Sequence, residues 1–278
     1  MKISVIVTTW GCEPWLEACR ISVRAAVAVA QGAEVEVLEI CTGNGVAAAR
    51  NEGLAKATGD WLVFVDGDDV VDEGWFAEIV RRADGADLIR FRLANFVGDE
   101  DFRKNEAVRP FPFAWVACAY HRSLVQKDGF RPYQCGEDNL FLLECLQKAR
   151  RVVDVDRVVY GYRQREASAT SSSPTLARFM DRAAYGVEWL AASRRRGVVN
   201  PECSPYRQEV AWARRRVAQD VLGSLAIEVR LLTPQPWKEW YNTLKRLLAT
   251  EMLPWDFALL AWVVKTLRWK WLTRLIRK

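Results

Sequence analysis

"GDWLVFVDGDDVVDEGW", residues 59–75, joins two incompatible chemistries. Trp61 to Val65 is a short, unbroken apolar run of aromatic and β-branched residues, bounded by Gly59 and a glycine turn, and this reads as a buried β-strand. Three carboxylates follow at once, Asp66, Asp68 and Asp69, separated only by Gly67. Carboxylates so crowded repel one another, and burying any of them costs several kcal/mol or raises its pKa unless a cation or hydrogen-bond donors compensate. The stretch therefore predicts a bound partner at the end of a core strand.

Upstream, "KISVIVTT" is a second buried-strand run, Glu13 to Ala30 is helical in composition, "AEVEVLEI" alternates as a strand, and "GVAAARNEGLAKATG" is an Ala-rich helix stopped by Gly59. This βαβαβ order predicts an α/β fold, a Rossmann-like, mostly parallel sheet with flanking helices. Ligands of such sheets sit beyond the carboxyl ends of the strands, where the acidic cluster falls. Downstream, the pattern predicts a helix over Asp72–Arg82, a strand in "ADLIRFRLANFV" and a polar hairpin in residues 98–113. A helix at His121–Lys127, another at Glu137–Arg150, and two strands, "RVVDV" and "RVVYGYRQR", complete it. The Ser-rich residues 168–174 mark the best boundary, since all beyond them is helical in composition.

With 278 residues, 50% hydrophobic and 27% charged, the composition is that of an ordinary globular protein and points away from disorder. The net charge of +5 resides at one end: residues 237–278 hold nine Lys/Arg against three Asp/Glu. That tail interleaves Trp255, Trp262, Trp269 and Trp271 with basic residues, which suits an anionic membrane surface or packing of the tryptophans on the core. No nucleic-acid-binding signature accompanies it. The seven cysteines are scattered without a CxxC pair, so neither a disulfide framework nor a zinc site is indicated. Apolar runs are too short for a signal peptide or a membrane span, which predicts a cytoplasmic chain, peripheral to the membrane through its tail.

Four stretches together, "ISVIVTTW", "NGVAAARNEGLAKATGDWLVFVDGDD", "GFRPYQCGEDNLFLLECL" and "VVYGYRQREASAT", resemble glycosyltransferase family 2, the nucleotide-sugar-dependent enzymes of GT-A fold. The resemblance covers about residues 2–170. It implies a catalytic domain over 1–170, with a nucleotide-binding half (1–105) and an acceptor half (106–170), followed by a helical region, 171–278. The activity implied is inverting transfer of a sugar from a nucleotide donor, with a UDP-sugar the leading candidate, to a hydroxyl of a glycan or lipid-linked acceptor. A non-catalytic nucleotide- or sugar-binding relative on the same scaffold is the alternative.

Transfer from a nucleoside diphosphate sugar needs a cation against the charge of the departing diphosphate, and hard divalent ions such as Mn²⁺ or Mg²⁺ prefer carboxylate oxygen. Asp68 is the expected metal ligand. The resemblance implies ribose contact for Asp66, while Asp69 is left to assist the metal or to cap the following helix. Trp10 stands where similar enzymes carry an aromatic residue against the nucleobase, although core packing also explains a tryptophan there. Arg50 and Asn51 match the family's "ARN" and are expected to orient Asp66. The resemblance makes Asp138 the general base that takes the acceptor's proton, with Glu137 beside it raising its pKa. Arg163 and Arg165, at alternate positions of a strand, share a face and suit a diphosphate. The sequence departs from the family in the shortened turn after the second strand, where Glu39 is the nearest acid left to accept a bond from the base. His121 is assigned no part.

Overall fold

The computed structural model describes residues 1–106, 114–125, 129–132 and 136–165. The expectations for the Ser-rich boundary, the helical region and the basic tail lie outside these residues, as does the end of the expected hairpin.

The apolar runs become the strands they predict. β1 (Lys2–Thr8), β2 (Glu34–Ile40) and β3 (Trp61–Asp66) are parallel, linked by α1 (Leu16–Ala28) and α2 (Val46–Lys56). β1 and β3 are buried along nearly their whole length. β2 alternates because it is an edge strand, and its acids Glu34, Glu36 and Glu39 discourage pairing with another chain. The sheet then continues through β4 (Val70–Val71), β5 (Leu88–Phe96), β6 (Cys118–His121) and β7 (Val152–Arg163) in the order β2-β1-β3-β6-β5-β7-β4. β6 runs antiparallel to both β3 and β5, β7 runs parallel to β5, and β4 pairs antiparallel with β7. The expected α/β sheet is thus present with mixed strand directions.

Helices α3 (Trp75–Arg82) and α4 (Glu137–Lys148) complete the described elements. Two aromatic clusters build the core. Phe64 of β3 meets Trp115, Tyr120, Phe130 and Phe141, and Phe130 stacks on Phe141 with centroids 4.1 Å apart. Trp75 of α3 meets Phe76, Phe91 and Tyr160. Such ring pairs favour edge and offset geometries and contribute beyond the area they bury. The five described cysteines are free thiols, four of them buried.

Three local expectations are corrected. The helix at His121–Lys127 is replaced by the end of β6 and a single 3-10 turn, Arg122–Leu124, because the N–H groups of His121 and Arg122 are drawn to the carbonyls of Asp87 and Asp60 and the chain stays extended. The two strands "RVVDV" and "RVVYGYRQR" are one strand, β7, whose register against β5 is interrupted near Arg90–Arg92. In the expected hairpin, the described part holds a 3-10 turn, Phe102–Lys104, capped by the Asp101 side chain and packed through Phe102 on Phe96. Among the described residues no helix is long and apolar enough to cross a membrane.

Candidate functional site

The carboxyl ends of β1 and β3 lie side by side, with Thr8 in register with Asp66. The turn after β3 is drawn tightly onto β1: the Gly67 N–H donates to Thr8 O (2.8 Å), and a Cβ at residue 67 would stand 2.7 Å from that oxygen. Glycine is required here by close approach of two backbones. The N–H of Asp69 closes the turn on Asp66 O at 2.9 Å.

Within this turn the three acids have different surroundings. Asp66 accepts hydrogen bonds from Thr8 Oγ1 (3.0 Å) and Arg50 Nη2 (3.1 Å) and remains partly exposed. Asp68 ion-pairs with Arg165 Nε at 2.7 Å, and that guanidinium lies over the Trp15 ring. Asp69 is 1% exposed; Tyr160 donates its hydroxyl proton to Oδ2 and the Arg163 N–H donates to Oδ1, both at 2.8 Å. Burial raises the pKa of Asp68 and, much further, that of Asp69, with the neighbouring carboxylates adding to both. The crowding inferred from the sequence is therefore met by specific donors and cations rather than by solvent. Asp69 does not cap α3, whose N-cap is Gly74, and its side chain lies beneath the surface.

Arg163 and Arg165 converge on Asp68 by different routes. Arg163 gives Nε to the Asp68 carbonyl (2.7 Å) and Nη1 to the Gly98 carbonyl (2.6 Å), and lies over the Phe96 ring. Arg165 reaches the Asp68 carboxylate itself.

Arg50 of α2 is 4% exposed and stands between two acids. Its Nη1 donates to Glu137 Oε1 (2.7 Å) while Nη2 faces Asp66, and the guanidinium stacks over Trp115 at 4.2 Å. The "ARN" stretch thereby ties the end of β3 to the head of α4. Asn51 does the same for the backbone: its Nδ2 donates to Phe130 O (2.8 Å), and its Oδ1 accepts from Phe130 N (2.7 Å). Sequence reasoning gave Asn51 to Asp66, whereas the structure gives it to the loop that precedes α4.

At that helix head, Gly136 adopts a left-handed conformation (φ 93°) and Glu137 and Asp138 occupy the first turn, where the helix dipole favours negative charge. Glu137 is 5% exposed, and burial, reinforced by the charge of Asp138 and opposed by Arg50, pushes its carboxyl up to about 7. Asp138 is raised too, again chiefly by burial, with Arg50 opposing. Its side chain accepts from the Asn139 N–H (2.6 Å) and is only partly covered. Of the two acids, Glu137 is committed to Arg50 and Asp138 is the one with room for a further partner.

Trp10, 65% exposed, projects from the end of β1 with its indole against Gly43, in the short turn between β2 and α2. Glu39 is gripped by Arg20 of α1 through two bonds, Nε at 2.9 Å and Nη2 at 2.6 Å. His121 packs on Trp61 and bonds Ser123. Sequence reasoning missed Thr8, Arg20, Trp115 and Tyr160; only the position of Thr8 at a strand end carried a local signal. Among the described residues, no three His, Cys, Asp or Glu side chains are gathered to hold a metal by themselves.

Residues 22–114 match the model of glycosyl transferase family 2. No curated protein matches the sequence. Among solved structures, S. aureus TarS 1-349 in complex with UDP-GlcNAc superposes with a TM-score of 0.61 at 17% identity, covering 90% of this chain and 82% of that one. The same protein in complex with UDP gives a TM-score of 0.55 at 15% identity, over 91% and 81% of the two chains. At this level of identity the likeness shows the GT-A fold alone.

Proposed function

We propose that this chain, a GT-A fold with a glycosyl transferase family 2 segment, transfers a sugar from a nucleotide donor to a hydroxyl acceptor with inversion at the anomeric carbon. The observation that carries the reading is the bridge of Arg50 between Asp66 and Glu137. It draws a cluster suited to a donor diphosphate and a helix head suited to a base into one site. That S. aureus TarS binds UDP and UDP-GlcNAc on the same fold supports a UDP-sugar as donor.

A divalent cation fits the residues present. The Asp68 carboxylate already sits against a positive group, Arg165, and two partly covered carboxylates, Asp66 and Asp68, suit a hard ion that completes its shell with water and phosphate oxygens. Bound there, Mn²⁺ or Mg²⁺ would neutralise charge on the departing diphosphate. Asp68 would hold the cation, Asp66 would face the ribose, and Arg165, paired with Asp68 in this structure, would serve the diphosphate. Arg163 has its Nε and Nη1 on carbonyls, so it acts through the turn it holds and cedes the diphosphate role first expected of it. Trp10 offers an exposed ring face to the base. Glu39, kept charged by Arg20, which holds its carboxyl below the usual range, accepts from uracil N3–H.

Asp138 takes the proton from the acceptor hydroxyl as that oxygen attacks. Its raised pKa brings it closer to the working pH, which improves a general base as long as it stays ionised. Glu137, paired with Arg50, keeps the helix head in place and leaves the acceptor side to Asp138.

A panel of nucleotide sugars incubated with the protein and Mn²⁺ tests the reading. Release of free nucleotide from at least one donor, suppressed by EDTA, is the expected result. Metal-dependent binding with no release or transfer from any donor, across a range of glycan and lipid-linked acceptors, would favour the non-catalytic relative instead.

A further inference from the structure

Tyr160 of β7 is fully buried, held at right angles to Trp75 with ring centroids 6.0 Å apart. Its hydroxyl makes two bonds, and both go to the acidic turn: it accepts from the Asp66 N–H at 3.0 Å and donates to Asp69 Oδ2 at 2.8 Å. These are the first and last residues of the four-residue turn. Arg163, three positions on, adds its N–H to Asp69 Oδ1 and its Nε to the Asp68 carbonyl. From the other side, Thr8 holds the Gly67 N–H and the Asp66 carboxylate.

We infer that Tyr160 is a positioning residue for the cation-binding acids, and that Asp69 serves as its anchor rather than as a metal ligand. The inference rests on the glycosyl-transfer reading above and assigns a part of the site to a strand about ninety residues away from the turn. One hydroxyl fixes both ends of a turn that is already closed by Asp69 N–H to Asp66 O, so the separation and direction of Asp66 and Asp68 follow from it. A cation shared between one or two carboxylates and a diphosphate tolerates little displacement of either oxygen. Without the hydroxyl, the Asp66 N–H and a buried carboxylate oxygen lose their partner together, and the turn relaxes toward whatever satisfies them.

The test titrates UDP, with Mn²⁺ and separately with EDTA, into the parent, Tyr160→Phe, and the double variant Tyr160→Phe/Asp69→Asn, each also followed by thermal unfolding. Tyr160→Phe is expected to leave the metal-free affinity unchanged and to lower the Mn²⁺-dependent gain in affinity about tenfold, the size of one well-placed hydrogen bond. The double variant removes the stranded buried carboxyl, so it recovers unfolding temperature, yet its Mn²⁺-dependent gain stays low because the Asp66 N–H still lacks its acceptor. A gain equal to the parent's in Tyr160→Phe, or one restored together with stability in the double variant, would make Tyr160 merely structural and overturn the inference. If the single variant does not fold, the double variant decides on the same readout. A parent that binds no UDP under either condition overturns the UDP-donor reading on which this inference rests, and this inference with it.

Discussion

The buried acid of the turn after β3 leans on neutral donors, whereas the buried acid at the head of α4 leans on a buried guanidinium. In the first, Asp69 is sealed beneath the surface by a tyrosine hydroxyl and a backbone N–H. In the second, Glu137 is held by Arg50, itself almost wholly enclosed and sandwiched against Trp115. Each cluster thus commits one acid wholly to the architecture and leaves others only partly covered, Asp66 and Asp68 in one and Asp138 in the other. The difference lies in what removal would expose. Neutral donors that lose their acid remain neutral, but a buried guanidinium without its acids is an uncompensated charge.

Loss of the two anchors should therefore differ in the damage it does. Arg50→Ala strands Glu137 and leaves Asp66 without its cation, and a loss of about 3–5 kcal/mol in urea unfolding is expected, the range for breaking a buried ion pair. Asp69→Asn keeps the shape but turns one acceptor into a donor facing donors, and is expected to cost about 1–3 kcal/mol in the same measurement. Equal losses would erase the distinction between the two anchors.

A smaller effect concerns pH. Glu137 has its carboxyl raised to about 7 in the folded chain, above its ordinary value of 4.5, so the folded state binds more protons than the unfolded state between those values. Its contribution is fully present below about pH 4.5 and is lost as pH rises through about 7. Glu137→Gln should flatten that part of the stability-versus-pH curve relative to the parent, as followed by unfolding at intervals of pH. An unchanged slope would mean that Arg50 keeps Glu137 ionised throughout. Smallest of all, Glu39→Ala should alter stability by less than about 1 kcal/mol, because its pair with Arg20 is more than a third exposed on both sides. Any sizeable consequence of that substitution should appear instead as a weaker preference for UDP over CDP in binding.

Why the sequence disclosed some of this and not the rest follows from the range of the interactions. Trp61–Val65 and Ile3–Val7 declare themselves as strands because five consecutive apolar side chains have nowhere else to go. The carboxylate run after them is just as plain, since its repulsion is local. β4 and β6 left no such mark: one is two residues long, and the other is a strand only because Cys118–His121 is drawn between β3 and β5. The division of labour among the acids was hidden for the same reason. Nothing around Asp69 announces Tyr160, and nothing around Arg50 announces Glu137, because each partner arrives from about ninety residues away. Their alternation puts Arg163 and Arg165 on one strand face suited to a diphosphate, but only side-chain geometry separates the one that grips carbonyls from the one that meets the carboxylate.

In the proposed reaction Asp68 and Asp138 do different work, Asp68 for the cation and donor, Asp138 for the acceptor's proton. Calorimetric titration of UDP in Mn²⁺ into Asp68→Asn and Asp138→Asn tests it most directly. Asp68→Asn is expected to lose the Mn²⁺-dependent part of UDP affinity while Asp138→Asn binds as the parent does. Equal loss in both variants, or full retention in Asp68→Asn, would contradict it.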